Sequence, residues 1–442
     1  RTYGGVGSPA REGGLTRFDA ITGMIRMPLK FRLGVMNFLQ FFIFGSWLMT
    51  FSAYASKVLN FSGAQIGSIY GTIGIASIFM PTLIGCAADR WFNAEKVFAI
   101  CHFVGAIMLV LASFTRDPAV LFWVFLINTM CYMPTIPLAG ALCFRIISDN
   151  KQDVVKLYPF LRVWGTIGFI MALWVISFAG LELSPVQLQV AGIGALILAI
   201  YALFLPKCPP LIGLGHKSGL LAKLGLESLV LFKTPRMAVF FIFSILIGVL
   251  LQINNTYVSV FLHDFDTLAI YKNSFGVTHS AVLMSLAQFS EVIFILAIPF
   301  FLSRFGIKKI MLISILAWVI RFALLAFGNP GSGIGLILLS MIIYGCAFDF
   351  FNISCAIFVD NETPPQMRAS AQGLFFIMTL GIGGFAGAYG GGLVLDAMTQ
   401  SVNGTLFRNW NSIWLMFSSY ALVLALFFSV LFKSKVSSLK NK

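Results

Sequence analysis

The chain has 442 residues, of which 59% are hydrophobic and only 10% charged. Soluble domains carry about a quarter charged residues, so a chain this apolar cannot cover itself with a wetted surface and must use the bilayer as solvent. The formal charge of +14 need not signal nucleic acid, because basic residues collect in the cytoplasmic loops of membrane proteins.

Residues 1–26 are Gly-rich and polar, with no apolar core region. They read as an appended or disordered leader outside the fold, not as a signal peptide. From there the chain runs through apolar stretches of about the 20 residues that a crossing helix needs. They are too long for the ~10-residue alternating strands of a membrane barrel. The spacing predicts twelve spans, at 33–56, 64–88, 97–114, 118–147, 157–180, 184–205, 236–262, 278–302, 309–328, 332–359, 367–397 and 411–432. An even number puts both termini on one side. That side collects eighteen Lys and Arg, among them Arg90, Arg145, Lys207, Arg304 and Arg368. The other side has Lys57, Arg116, Lys272 and Arg408. The positive-inside rule makes the basic side cytoplasmic.

The longest basic-side connection, 206–235, divides the chain into an N-terminal half (27–205) and a C-terminal half (236–432), with a tail at 433–442. Within it, Leu220–Glu227 has the pattern of an interfacial amphipathic helix. The same signal recurs in both halves. Gly85-Cys86-Ala87-Ala88-Asp89-Arg90 and the following residues form a basic turn after the second span, and Ser303-Arg304-Phe305-Gly306-Ile307-Lys308-Lys309 forms one after the eighth. Two parallel six-helix halves are the layout of major facilitator transporters. The first turn resembles that superfamily's loop motif, G-x-x-x-D-R-x-G-x-[RK], except that Phe92 replaces Gly; Gly85, Asp89 and Arg90 are its candidate gating residues. The second keeps Gly306 but has Ser303 in place of Asp.

Ionisable groups at bilayer depth cost roughly 2.5–3.5 kcal/mol on insertion scales and are functional candidates by default. In the fifth span, Arg162, Thr166 and Phe169 fall at i, i+4 and i+7, hence on one face. The weaker alternative for Arg162 is a snorkelling residue near the cytoplasmic end. Gln252 and Asn255 in the seventh span, and Gln288 and Glu291 in the eighth, repeat an i, i+3 spacing. Each pair could be interhelical glue, but two on neighbouring spans suggest a polar pocket. In the tenth span Tyr344 and Phe348 share a face, and Asp349 is turned roughly 100° from Phe348. Asp349 has two open roles, transport or pairing with Arg162 or Arg321; Arg321 itself reads as a structural partner. Of the four His residues (102, 216, 263, 279), none has ligand spacing, and His263 and His279 are expected at the surface. The seven Cys read as reduced packing residues with no metal site. The Gly cluster at 381–392 reads as close helix packing. Nothing resembles a nucleophile elbow or a phosphate-cradling loop, so a polytopic enzyme is disfavoured, and no loop is long enough for a receptor's sensory domain.

The segments Phe38-Leu39-Gln40, Gly45-Ser46-Trp47-Leu48, Tyr132-Met133-Pro134-Thr135, Arg162–Ile170, Met237–Ser244, Ile298–Gly306, Tyr344–Ser354 and Arg368–Gly373 together resemble the bacterial nucleoside–proton symporters of the major facilitator superfamily, from about Met36 to Phe432. The resemblance implies a nucleoside site between the halves, formed by Arg162, Thr166, Phe169, Gln252, Asn255, Gln288, Glu291, Tyr344 and Phe348. It implies a monomeric inner-membrane importer with no cofactor beyond the coupling proton, carried by Glu291 or, second, Asp349. A carrier for another solute, such as a sugar or drug, is the alternative.

Overall fold

A computed structural model describes residues 28–210, 226–402 and 405–432. The leader, most of the expected interfacial helix at 220–227 and the C-terminal tail lie outside the described residues. The rest is nearly all helix, and each of the twelve expected spans falls on helical structure. Among the described residues, nine stretches are long and apolar enough to cross a membrane.

Helices α1 (Leu29–Gly45) and α2 (Phe51–Lys57) form one broken rod, interrupted at 46–50. They are followed by α3 (Gly63–Arg90), α4 (Ala94–Phe114), α5 (Pro118–Tyr132), α6 (Thr135–Asp149), α7 (Val154–Phe178) and α8 (Val186–Ala202). α5 and α6 are one rod interrupted at Met133 and Pro134; Pro lacks the N–H that a continuous helix needs. The C-terminal half comprises α9 (Pro235–Asp264), α10 (Phe275–Thr278), α11 (Ser280–Phe327), α12 (Ile334–Glu362), α13 (Arg368–Phe376), a π-helical turn (Ile377–Gly383), α14 (Gly384–Ala397) and α15 (Trp410–Leu431). Between α14 and α15, β1 (Thr399–Val402) pairs antiparallel with β2 (Thr405–Arg408), Thr399 opposite Arg408. The 48-residue α11 is two helices joined at Gly306, whose φ of 74° suits a residue without a Cβ. Here lies the expected second basic turn. The first is shorter than expected: Gly85, Asp89 and Arg90 belong to the last turns of α3 rather than to a loop, and the chain reverses only at 91–93. Asp89 and Arg90 are exposed.

Small residues set how the halves meet. Gly63, Gly67, Gly71 and Gly74 lie along one face of α3, and a Cβ on each would collide with Gly392, Ala388, Phe385 and Gly381 respectively. At Gly63, Gly67 and Gly74 backbone lies directly on backbone of α14 and the π-helical turn, and at Gly71 on the Phe385 ring, the small-residue packing that lipid surroundings favour. The N-terminus of α3 is closed by a capping box, Gln65 N donating to Ser62 Oγ at 3.2 Å and Ser62 N to Gln65 Oε1 at 2.9 Å. Asp396, from α14, also accepts from Gly63 N (2.5 Å) and Ala64 N (2.8 Å), placing a carboxylate at the positive end of the helix dipole.

This seal lies at the end of the bundle that bears the β-hairpin. Further contacts across the halves gather there. Tyr257 Oη donates to Ala388 O (2.6 Å) and reaches Gly63 O (3.2 Å). Lys57 pairs with Asp264 (3.1 Å) and Asp266 (2.7 Å). Trp174 Nε1 donates to Ser285 Oγ at 3.0 Å. The loop residue Glu182 is buried against His263 Nε2 (2.9 Å), Ser280 Oγ (2.5 Å) and Ala281 N (3.2 Å). The surface placement expected for His263 is therefore wrong: it is 4% exposed, because the α7–α8 loop folds over the end of α9. His279 is half-buried and bonded to Ser177 Oγ at 3.1 Å. At the opposite, basic end the ion pairs among the described residues stay within one half, as in Arg236–Glu362 (2.8 Å) and Arg368–Asp360 (3.3 Å).

Candidate functional site

In the N-terminal half, α1 and α7 touch through glycines. A Cβ on Gly168 would strike the Phe38 backbone, and one on Gly45 the Phe169 backbone. The close approach seats Phe169, 6% exposed, against Phe44, with ring centroids 6.4 Å apart. Phe44 stacks in turn on Tyr132 at 5.0 Å. Behind these rings runs a buried chain of hydrogen bonds. Tyr132 Oη donates to Gln40 O (2.6 Å), Gln40 Nε2 to Thr135 Oγ1 (2.8 Å), and His102 Nε2 meets Gln40 Oε1 at 2.7 Å. On the same face of α7, Thr166 is half-buried and Arg162 exposed; among the described residues Arg162 makes no ion pair within 4.0 Å.

In the C-terminal half, a Cβ on Gly345 would meet the Ser290 backbone, so α11 and α12 pack with little between them. This brings Gln288 and Glu291 beside Tyr344 and Phe348. Gln288 Nε2 donates to Glu291 Oε1 at 2.8 Å. The Tyr344 and Phe348 rings lie parallel, 10° apart in plane with centroids at 5.7 Å. Glu291 and Asp349 stand within electrostatic reach of one another and of Arg162. Neither Arg162 nor Arg321 pairs directly with Asp349. Asp349 is 4% exposed, and its Oδ2 has no hydrogen-bond partner.

From α9, Gln252 is buried and donates to Thr256 Oγ1 at 3.3 Å. Asn255 is half-buried and accepts from Asn254 Nδ2 at 3.1 Å. A small cavity of about 10 Å³, room for about one water, is lined by Gln288, Tyr344, Asn254, Arg321, Met49 and Met284, among others. Of the nine expected residues, the structure thus joins Gln288 to Glu291 and Tyr344 to Phe348. It sets Gln288 and Tyr344 on one cavity and brings Arg162 within range of the carboxylates. It shows no direct bond between the α7 residues and those of α9. A larger hollow of about 430 Å³ lies at the hairpin end around Asp264, Asn329, Arg408 and Trp410; none of the nine lines it.

Two polar residues outside the expected set reach the cavity, Arg321 and Asn254. Arg321, 1% exposed, places its guanidinium 4.9 Å above the Tyr344 ring and donates from Nε to Asn254 Oδ1 at 2.8 Å. An intramembrane Arg is itself a signal in sequence. Asn254 was hidden because it neighbours Asn255 but faces another direction on the helix.

A helical, multi-pass membrane protein with this fold is a transporter of the major facilitator kind. Residues 27–437 match the model of a family described as nucleoside H+ symporters. The nucleoside permease NupG of Escherichia coli is 47% identical over 410 residues, covering 92% of this chain and 97% of that protein. The xanthosine permease of the same organism is 47% identical over 411 residues, covering 92% and 96%. The crystal structure of the nucleoside transporter NupG superposes with a TM-score of 0.86, covering 92% of this chain and all of that one. The chain belongs to the nucleoside H+ symporter family; it is a transporter and not an enzyme.

Proposed function

We propose that the chain imports nucleosides together with protons by alternating access. The observation that carries this reading is the central belt itself. A parallel Tyr344–Phe348 ring pair lies beside an amide–carboxylate pair, Gln288–Glu291, and a buried carboxylate with a free oxygen, Asp349. Aromatic faces stack on a flat base. Amides and carboxylates bond hydroxyls and base edges, and a site built to do so rejects analogues that lack them. Arg162, Thr166, Phe169, Gln252, Asn255, Gln288, Glu291, Tyr344 and Phe348 form the nucleoside site. Intramembrane carboxylates serve as proton relays; Glu291 carries the coupled proton and Asp349 is the second candidate.

In this reading the chain crosses the inner membrane twelve times as a monomer, with both termini and the basic end in the cytoplasm. Residues 27–205 and 236–432 are the two rocking halves, linked by 206–235. Gly85, Asp89 and Arg90 help close the cytoplasmic side in the other state. The hairpin end, sealed here, faces outward, so the described state is the one closed to the outside.

The test is uptake of labelled uridine or xanthosine by cells that lack their own nucleoside transporters. Expression of this chain should give accumulation that a protonophore collapses. Stabilisation of the purified protein by a sugar and by no nucleoside would overturn the assignment of substrate.

A further inference from the structure

Arg321 sits in the second part of α11, fully buried at bilayer depth. Among the described residues no carboxylate lies within 4.0 Å of it. Its partners are neutral: Asn254 Oδ1 at 2.8 Å, the Ser340 carbonyl, Met341 Sδ at 3.6 Å and the face of Tyr344. Packing alone does not call for such a residue, since apolar side chains of similar shape replace buried ions without loss of stability.

The chemistry of these contacts has a direction. A guanidinium has only donors. Which end of an Asn amide is oxygen is normally open, but beside Arg321 the oxygen of Asn254 must face the cation. Its NH2 group then faces the other way, and it donates to Asn255 Oδ1 at 3.1 Å. Asn255 in turn has its oxygen engaged. Its own NH2 bonds to no described residue, and it is not among the side-chain atoms sealed from solvent without a partner. One fixed charge thus orders two successive amides.

We infer that Arg321 is a positioning residue that sets the polarity of Asn255, which presents N–H donors and not an acceptor to the nucleoside. The substrate must then offer an acceptor at that point, a carbonyl oxygen, ring nitrogen or hydroxyl oxygen. The same guanidinium holds the Tyr344 ring, which stacks on Phe348, so a single cation orders one polar and one aromatic contact. This inference rests on Asn255 belonging to the nucleoside site.

The test is a double-mutant cycle read by equilibrium binding of uridine to the purified protein. Asn255→Ala should weaken binding about tenfold, the scale of one lost hydrogen bond. Asn255→Asp should weaken it further, because an acceptor replaces a donor. In an Arg321→Met background, where the amides are free to turn, Asn255→Ala should cost less than about threefold more. Arg321→Lys, which keeps a donor toward Asn254, should restore part of the coupling. If Arg321→Met does not fold, Asn254→Asp serves: it keeps an acceptor for Arg321 but removes the NH2 that holds Asn255, and the coupling should again vanish. The full tenfold cost of Asn255→Ala in either background, or unchanged binding by Asn255→Asp, would overturn the inference. Failure of the unaltered protein to bind any nucleoside would instead overturn the proposed function.

Discussion

The hairpin end and the centre of the bundle both bury charge, but they dispose of it differently. At the hairpin end charged groups find partners across the bundle: Glu182 with His263, Lys57 with Asp264 and Asp266, Asp396 with the N-terminus of α3. At the centre, among the described residues, Asp349 keeps a free oxygen, Arg162 has no ion-pair partner, and Arg321 rests on neutral groups. In the first arrangement each of these groups has a partner that water could replace, although Arg408 Nε beside Asp264 is buried without one among the described residues. The second is incomplete without something between the halves. In the proposed reading, a gate and a binding site differ in what their polar groups lack.

Four predictions would break or sharpen that contrast. The largest effect is expected at the centre. Glu291→Gln should abolish proton-driven accumulation while leaving uridine binding measurable; accumulation equal to that of the unaltered chain would remove Glu291 from the coupling. Next is Gly67→Leu at the seal, where the side chain would have to enter the Ala388 backbone. It should hold the hairpin end open and cut transport at least about tenfold. Cysteine-labelling accessibility from that side should rise, and unchanged labelling would show that the seal does not depend on this contact. Phe348→Ala should remove a stacking surface that contributes about 1–3 kcal/mol per base, read as weaker uridine binding with little change in protein stability. The smallest effect belongs to Lys57→Ala: its pairs are partly exposed, side chain 17% accessible, and such pairs contribute about 0.2–1 kcal/mol. Its influence on labelling of the hairpin end should be slight.

Glu182 adds a pH test of the seal. Burial raises its pKa, but hydrogen bonds and charge from His263, with bonds from Ser177 and Ser280, outweigh burial and hold it below the ordinary carboxylate value. A group whose pKa is lowered in the closed state contributes above its free value, about 4.3. That contribution is lost as pH falls through the lowered value. Acidification below the ordinary carboxylate range should therefore loosen the hairpin end, and Glu182→Gln should reduce the pH response of its labelling over that window, with Asp264, Asp266 and Asp396 left to respond.

The spans were legible because apolar runs and loop charges are local signals, and their ends agree with the helices to within a few residues, as at 118–147 against Pro118–Asp149. The glycine face of α3 and the cluster at 381–392 were visible, but not that they face one another. Candidate site residues were legible where charge or amide spacing fell inside an apolar run, as with Glu291 and Gln288. Glu182 and His263 were not, since their contact joins positions 81 residues apart and each looks like an ordinary loop residue. Asn254 was masked by Asn255: periodicity assigned the i, i+3 face to Gln252 and Asn255, and only the position of Arg321 reveals the use of the other face. The α3 terminus was misjudged because Gly85 and Asp89 look like turn residues, although the helix runs through them to Arg90.

The most direct test of the central claim is proton movement driven by the nucleoside itself. Uridine added to lightly buffered, de-energised cells expressing the chain should make the medium more alkaline as protons enter with it, and Glu291→Gln should remove the signal. Uridine entry with no change in external pH would contradict proton coupling through this site.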